Sequence, residues 1–170
     1  KISIKKANSR VEASLRDLVT SYHKEAQETK RWDTYNLARS IYGKYLDTFP
    51  KSEYAYKLRW YYADILYKMG DFYGSAHQYA KVVDEDPEGS YNAVLCWDKC
   101  IGMRDNKNQD CRKWQPKTGK GKLGKESARD IKKEKIDFQT QGEMTKDELT
   151  KREIPFFEKK FLAAADVFAK

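Results

Sequence analysis

Apolar residues Val11, Leu15, Leu18, Tyr22 and Ala26 recur at steps of three and four, which puts them on one face of a helix with Ser9 as its expected cap. The same spacing predicts a second helix at about Trp32 to Thr48. A third begins after Pro50, with Ser52 near its start, and runs to Met69. Along it Tyr54, Leu58, Tyr61, Ile65 and Met69 form one apolar stripe and Tyr56, Trp60, Ala63 and Tyr67 another, leaving a narrow polar sector at Lys57, Asp64 and Lys68. A helix apolar on two faces is expected to lie between two layers. Gly70-Asp71 ends it, because glycine accepts the left-handed conformation that closes a helix. A fourth helix is expected from about Phe72 to Asp86 and a fifth from about Gly89 to Met103.

Past Met103 the periodicity breaks. Asp105 to Lys125 is rich in Asn, Gln, Gly and Lys and reads as loop or partly disordered chain. Ser127 to Phe138 has the pattern of a short charged helix, and Thr145-x-x-Glu148 that of a capping box opening another. Pro155 suits the first turn of a last helix, Pro155 to Lys170, with Phe157, Phe161, Ala164, Ala165 and Phe168 on one face. That face must pack back on the preceding helices or meet a further one, so the chain reads as a piece of a longer protein.

The helices repeat. Pro50-x3-Tyr54-x3-Leu58-x-Trp60 recurs 37 residues later as Pro87-x3-Tyr91-x3-Leu95-x-Trp97, and Tyr35, Ala38, Tyr42 and Tyr45 are matched by Phe72, Ser75, Tyr79 and Val82. A unit of this size cannot bury its apolar face alone, so neighbours stack into a quasi-one-dimensional array. Such an array is more often a binding surface than a catalytic cleft.

The unit Trp60-x2-Ala63-x2-Leu66-x3-Gly70-x-Phe72-x2-Ser75-x3-Tyr79-x2-Val82-x4-Pro87 resembles the tetratricopeptide repeat (TPR), a helical hairpin with small residues at its closest helix contact. Ser75 replaces the usual alanine and Ala63 the usual glycine. Ala26, Ala38, Tyr42 and Pro50 continue the likeness upstream; Trp97, Cys100 and Met103 start a third hairpin whose second half returns as Phe161-x2-Ala164-x3-Phe168. The resemblance implies an all-α, TPR-like solenoid: helical hairpins over 1–103, a basic insertion over 104–150, and a final helix over 151–170 completing the third hairpin. Its style is closest to repeats of bacterial cell-envelope proteins, which implies a non-catalytic scaffold holding another protein in a periplasmic or envelope assembly, with a cytoplasmic location as the alternative. No cofactor or metal is expected.

In that family the first helix of each hairpin lines a concave groove for a peptide or partner helix. By register the groove positions are His23, Gln27 and Lys30, then Lys57, Trp60, Asp64, Tyr67 and Lys68, then Val94, Trp97, Ile101 and Arg104. Trp60 and Trp97 have two readings, as stacking surfaces for a bound segment or as packing between repeats. Lys57, Lys68 and Arg104 would favour an acidic ligand.

Composition changes this picture in one place. The chain has 170 residues and a net charge of +8, yet residues 104–135 carry twelve Lys or Arg against five Asp or Glu, while the rest carries 22 against 21. Basicity therefore belongs to the insertion, and nucleic-acid or polyanion binding there is the alternative function. Only Trp114 and Phe138 interleave with these charges. Gly119-x4-Gly124-Lys125 imitates a phosphate loop, but Glu126 stands where Ser or Thr should hold magnesium and no apolar strand precedes it. No apolar run is long enough to span a membrane. Cys96 and Cys100 lie one helical turn apart, too far for an unstrained bridge, so a disulfide in an oxidising compartment would join Cys96, or else Cys100, to Cys111; we expect Cys96. His23 and His77 have no recognisable nucleophile beside them, and nothing assembles a catalytic constellation.

Overall fold

The computed structural model describes residues 2–83, 88–124 and 153–169. Six helices follow in order: α1 (Ile2–Thr29), α2 (Trp32–Thr48), α3 (Ala55–Met69), α4 (Phe72–Tyr79), α5 (Glu88–Lys107) and α6 (Phe156–Phe168), with a 3-10 turn at Cys111–Lys113 after α5. The described residues are all-helical, and their one β-type pairing is an isolated bridge between Arg31 and Lys122. The main helix packings are between successive helices, from α1 on α2 through to α5 on α6.

Local chemistry sets the breaks. Gly70 closes α3 at φ 85°, its N–H shared between the Leu66 and Tyr67 carbonyls, and the Asp71 carboxylate then caps α4 by accepting from the Gly74 N–H at 2.8 Å. The fourth helix is shorter than its periodicity predicts. After Tyr79 the chain tightens to bonds from Lys81 to Gln78 and Val82 to Tyr79, and α5 begins against that turn at Gly89, where a Cβ would meet the Tyr79 carbonyl oxygen at 3.0 Å. At the other extreme α1 is longer than predicted. Ser9 lies inside the helix and bonds back to the Lys5 carbonyl, and residues 3–11 are all exposed. At about 1.5 Å per residue α1 outreaches α2 by roughly 16 Å, which is why its first turns have no helix beneath them. The helices expected at Ser127 to Phe138 and after Thr145 lie outside the described residues.

The core has two parts that meet across α3. Leu58, Ile65 and Met69 face Val19, Ala26, Tyr35, Ala38, Tyr42 and Tyr45 of α1 and α2. Ala63 and Tyr67 face Tyr79, Leu95, Cys96, Trp97 and Phe157 of α4, α5 and α6. The two predicted stripes thus serve two layers. Three helices meet at Ala63, Ser75 and Cys96, all fully buried: the Ser75 hydroxyl donates to the Ala63 carbonyl at 2.8 Å, and the Cys96 thiol donates to that hydroxyl at 3.3 Å. Small side chains at these three positions let the helices pack this closely. On α5, Arg104 meets Glu158, Trp97 meets Phe157 and Tyr91 meets Phe168, so α6 runs antiparallel to α5.

Candidate functional site

Between α1 and α3 lies an open crease of about 290 Å³ lined by Thr20, His23, Lys24, Gln27, Tyr42, Tyr61 and Asp64. His23 forms its floor and is only 8% exposed. Gln27 Nε2 donates to the ring Nε2 at 3.0 Å, so the neutral imidazole carries its proton on Nδ1 and donates it to the Tyr42 hydroxyl at 2.7 Å. Burial, helped by the nearby charge of Lys68, pushes the His23 pKa down to about 4, and burial likewise raises that of the Tyr42 phenol. Asp64 accepts a hydrogen bond from the Tyr79 hydroxyl, and the Lys57 ammonium stands 5.8 Å over the Tyr61 ring. The crease is therefore a neutral aromatic floor edged by Lys24, Lys57 and Lys68 with Asp64 among them.

Of the groove positions expected from the repeat register, α1 and α3 bring together His23, Gln27, Lys57, Asp64 and Lys68. Lys30 is exposed in the α1–α2 turn at φ 54°. Trp60 is half-buried and sets its edge on Tyr79 at 5.3 Å, so part of the indole belongs to packing. Tyr67 and Val94 are each 4% exposed and Trp97 3% exposed. Trp97 touches Tyr73 and His77 of α4 edge-on at 5.7 and 5.5 Å and stacks on Phe157 at 6.4 Å. The packing reading of Trp97 is the one the structure adopts, because the antiparallel return of α6 covers that face of α5. Ile101 packs against the same cluster, and Arg104 is occupied by both carboxylate oxygens of Glu158 and by Asp105. Of the two tryptophans, Trp97 is covered and Trp60 keeps part of its ring exposed.

The cysteine pairing also differs from the expected one. Cys100 is joined to Cys111, with Cα atoms 5.5 Å apart, and Cys96 is a buried free thiol. One turn of helix decides it: Cys96 points toward Ser75 on α4, whereas Cys100 faces the returning chain.

From Cys111 the chain runs back across the helices as a strap. Trp114 comes to rest beside Gly70 at the α3–α4 turn, with the Arg39 guanidinium 5.5 Å from its ring. The Lys117 carbonyl accepts from Asn36 Nδ2 at 2.7 Å, the Gly121 carbonyl accepts from the Trp32 N–H at 2.9 Å, and the Leu123 N–H donates to the Lys30 carbonyl at 2.8 Å. Leu123 is 7% exposed and belongs to the core of α1 to α3. The segment expected to be loop or partly disordered chain is irregular but docked, tied to the ends of α1, α3 and α5. Its signals in the sequence were few, namely Cys111, Trp114 and Leu123 among polar residues.

No protein-family model, curated protein or solved structure matches this chain.

A second crevice, about 670 Å³, opens where the strap leaves α5, bounded by Met103, Arg104, Arg112, Trp114 and Phe157. The sequence carries no sign of it, since α5, strap and α6 meet there through the disulfide, the Arg104–Glu158 pair and the Arg112 guanidinium 5.5 Å over the Phe156 ring. Among the described residues no group of three His, Cys, Asp or Glu is placed to hold a metal, and no described helix is long and apolar enough to cross a membrane.

Proposed function

We propose that the protein is a non-catalytic scaffold of TPR-like hairpins that holds a partner protein in the crease between α1 and α3. The observation that carries this reading is the crease itself: two first helices of successive hairpins hold His23, Gln27, Tyr61 and Asp64 around a shared open cavity. The 37-residue repeat and the packing of each helix mainly on its sequence neighbours support a solenoid. A preformed, hydrogen-bonded floor would receive a peptide or helix with little ordering cost, and the three lysines at its rim favour an acidic segment. The Cys100–Cys111 bridge favours an oxidising, extracytoplasmic compartment such as the bacterial envelope. The test is retention of partners from a source-cell extract by the intact chain, a Lys57→Glu/Lys68→Glu variant and a Lys44→Glu/Lys51→Glu control of equal charge. A protein retained by the intact chain and the control but lost from the crease variant, with helicity unchanged, supports the reading; equal retention by all three overturns it.

A further inference from the structure

The strap carries charge as well as covering the array. Between Asn108 and Gly124 it holds Arg112, Lys113, Lys117, Lys120 and Lys122 against one acid, Asp110, and Arg112 is paired with that acid. The four lysines are exposed and have no ion pair among the described residues. Docking fixes where they stand. The disulfide at Cys111 holds the strap to α5, Trp114 rests on the α3–α4 turn, and Leu123 is buried at the α1–α2 turn. The lysines are thus strung along the edge formed by three helix ends, over a path of at most about 30 Å, instead of hanging on a loose loop.

We propose that this edge is a docking surface for an anionic lipid bilayer, its four lysines meeting the headgroup phosphates. None of them lines the α1–α3 crease, so this surface and the proposed partner site stand or fall separately. Two observations favour lipid over nucleic acid. The indoles beside the lysines are drawn into packing: Trp32 is 6% exposed beneath Lys117, whose ammonium lies 5.7 Å from the ring, and Trp114 is half-buried with the Arg39 guanidinium 5.5 Å from its ring. The strap thus offers no fully exposed ring to stack on a base. The strap is also anchored by a disulfide, which persists in oxidising compartments where membranes, not nucleic acids, are the resident polyanion. Each lysine held near an anionic bilayer raises partitioning roughly fivefold at moderate ionic strength, so the row acts together where one lysine would not.

The experiment is co-sedimentation of the full, disulfide-intact chain with phosphatidylcholine vesicles with and without phosphatidylglycerol, at low and high salt. Two variants of equal charge are compared: Lys113→Gln/Lys117→Gln/Lys120→Gln/Lys122→Gln in the strap, and Arg129→Gln/Lys132→Gln/Lys133→Gln/Lys135→Gln beyond it. We expect binding to the phosphatidylglycerol vesicles alone, weakened by salt, and lowered several hundredfold, about fivefold for each lysine removed, by the strap variant but far less by the second. Absence of binding to those vesicles, equal losses in the two variants, or tighter binding to duplex DNA than to the vesicles at matched phosphate would overturn the proposal.

Discussion

Trp114 and Gly70 are in contact across 44 positions of sequence: a Cβ at Gly70 would stand 3.7 Å from the Trp114 Nε1, on a backbone already at φ 85°. This contact pins the strap to the α3–α4 turn. Trp114→Ala removes a half-buried indole and is expected to cost about 2 kcal/mol, roughly half the value for a fully buried one. Gly70→Ala must take the left-handed conformation with a side chain, at about 1 to 2 kcal/mol. Urea denaturation reads both losses. Hydrogen exchange separates them, because Trp114→Ala also speeds exchange at the Trp32 and Leu123 amides that tie the strap to the α1–α2 turn.

The bridge between Cys100 and Cys111 closes a loop with a sequence separation of 11. Its removal by Cys100→Ser/Cys111→Ser is expected to lower stability by roughly 3 kcal/mol on the chain-entropy argument. Thiol titration of unreduced, denatured protein should find one free thiol, Cys96, and three after reduction. Because Cys96 is fully buried, it should react slowly in the native state.

Arg104 and Glu158 share a two-point ion pair between α5 and α6, each about one-third exposed. Solvent screening at that exposure limits the coupling to about 1 kcal/mol in a double-mutant cycle of Arg104→Ala and Glu158→Ala, and salt should reduce it. The Arg104 hydrogen bonds hold the Glu158 carboxyl below its ordinary pKa. Its contribution is therefore present above the ordinary glutamate pKa and lost on acidification through the lowered value.

His23 predicts a different pH window. Folded, its pKa is about 4; unfolded, it returns to the ordinary histidine value near 6.5. Between those values the unfolded state binds a proton that the folded state excludes, so stability falls as pH drops from about 6.5 to about 4, by about 3 kcal/mol in all. Above the upper limit the term is fully favourable. His23→Gln should flatten that part of the stability profile measured by chemical denaturation, leaving the smaller contribution of His77, whose pKa burial also lowers.

Much of the helical order was legible because hydrophobic spacing states it directly. The ends of α2 coincide with the expected Trp32 and Thr48, and the two stripes of α3 meet two separate parts of the core. The errors share a cause. Periodicity reports which face of a helix is apolar without saying what lies against it, so Trp97 could be placed on α5 but not beneath Phe157. A contact such as Leu123 with the α1–α2 turn links residues 93 apart and leaves only one apolar residue in a polar stretch as its trace. The cysteine pairing turned on a single helical turn, which sequence spacing alone left open. His23 was placed by register, but its buried bond to Tyr42 depends on how α1 and α2 cross.

The central claim is that the crease between α1 and α3 receives a protein partner. The most direct measurement places a photo-crosslinking amino acid at Lys24 or Lys57, beside the crease, and at Lys44 or Lys81, outside it, in the chain expressed in its source cells. The account predicts one discrete protein adduct from both crease positions and none from the other two. Adducts formed equally at Lys44 and Lys81, or none at Lys24 and Lys57, would contradict it.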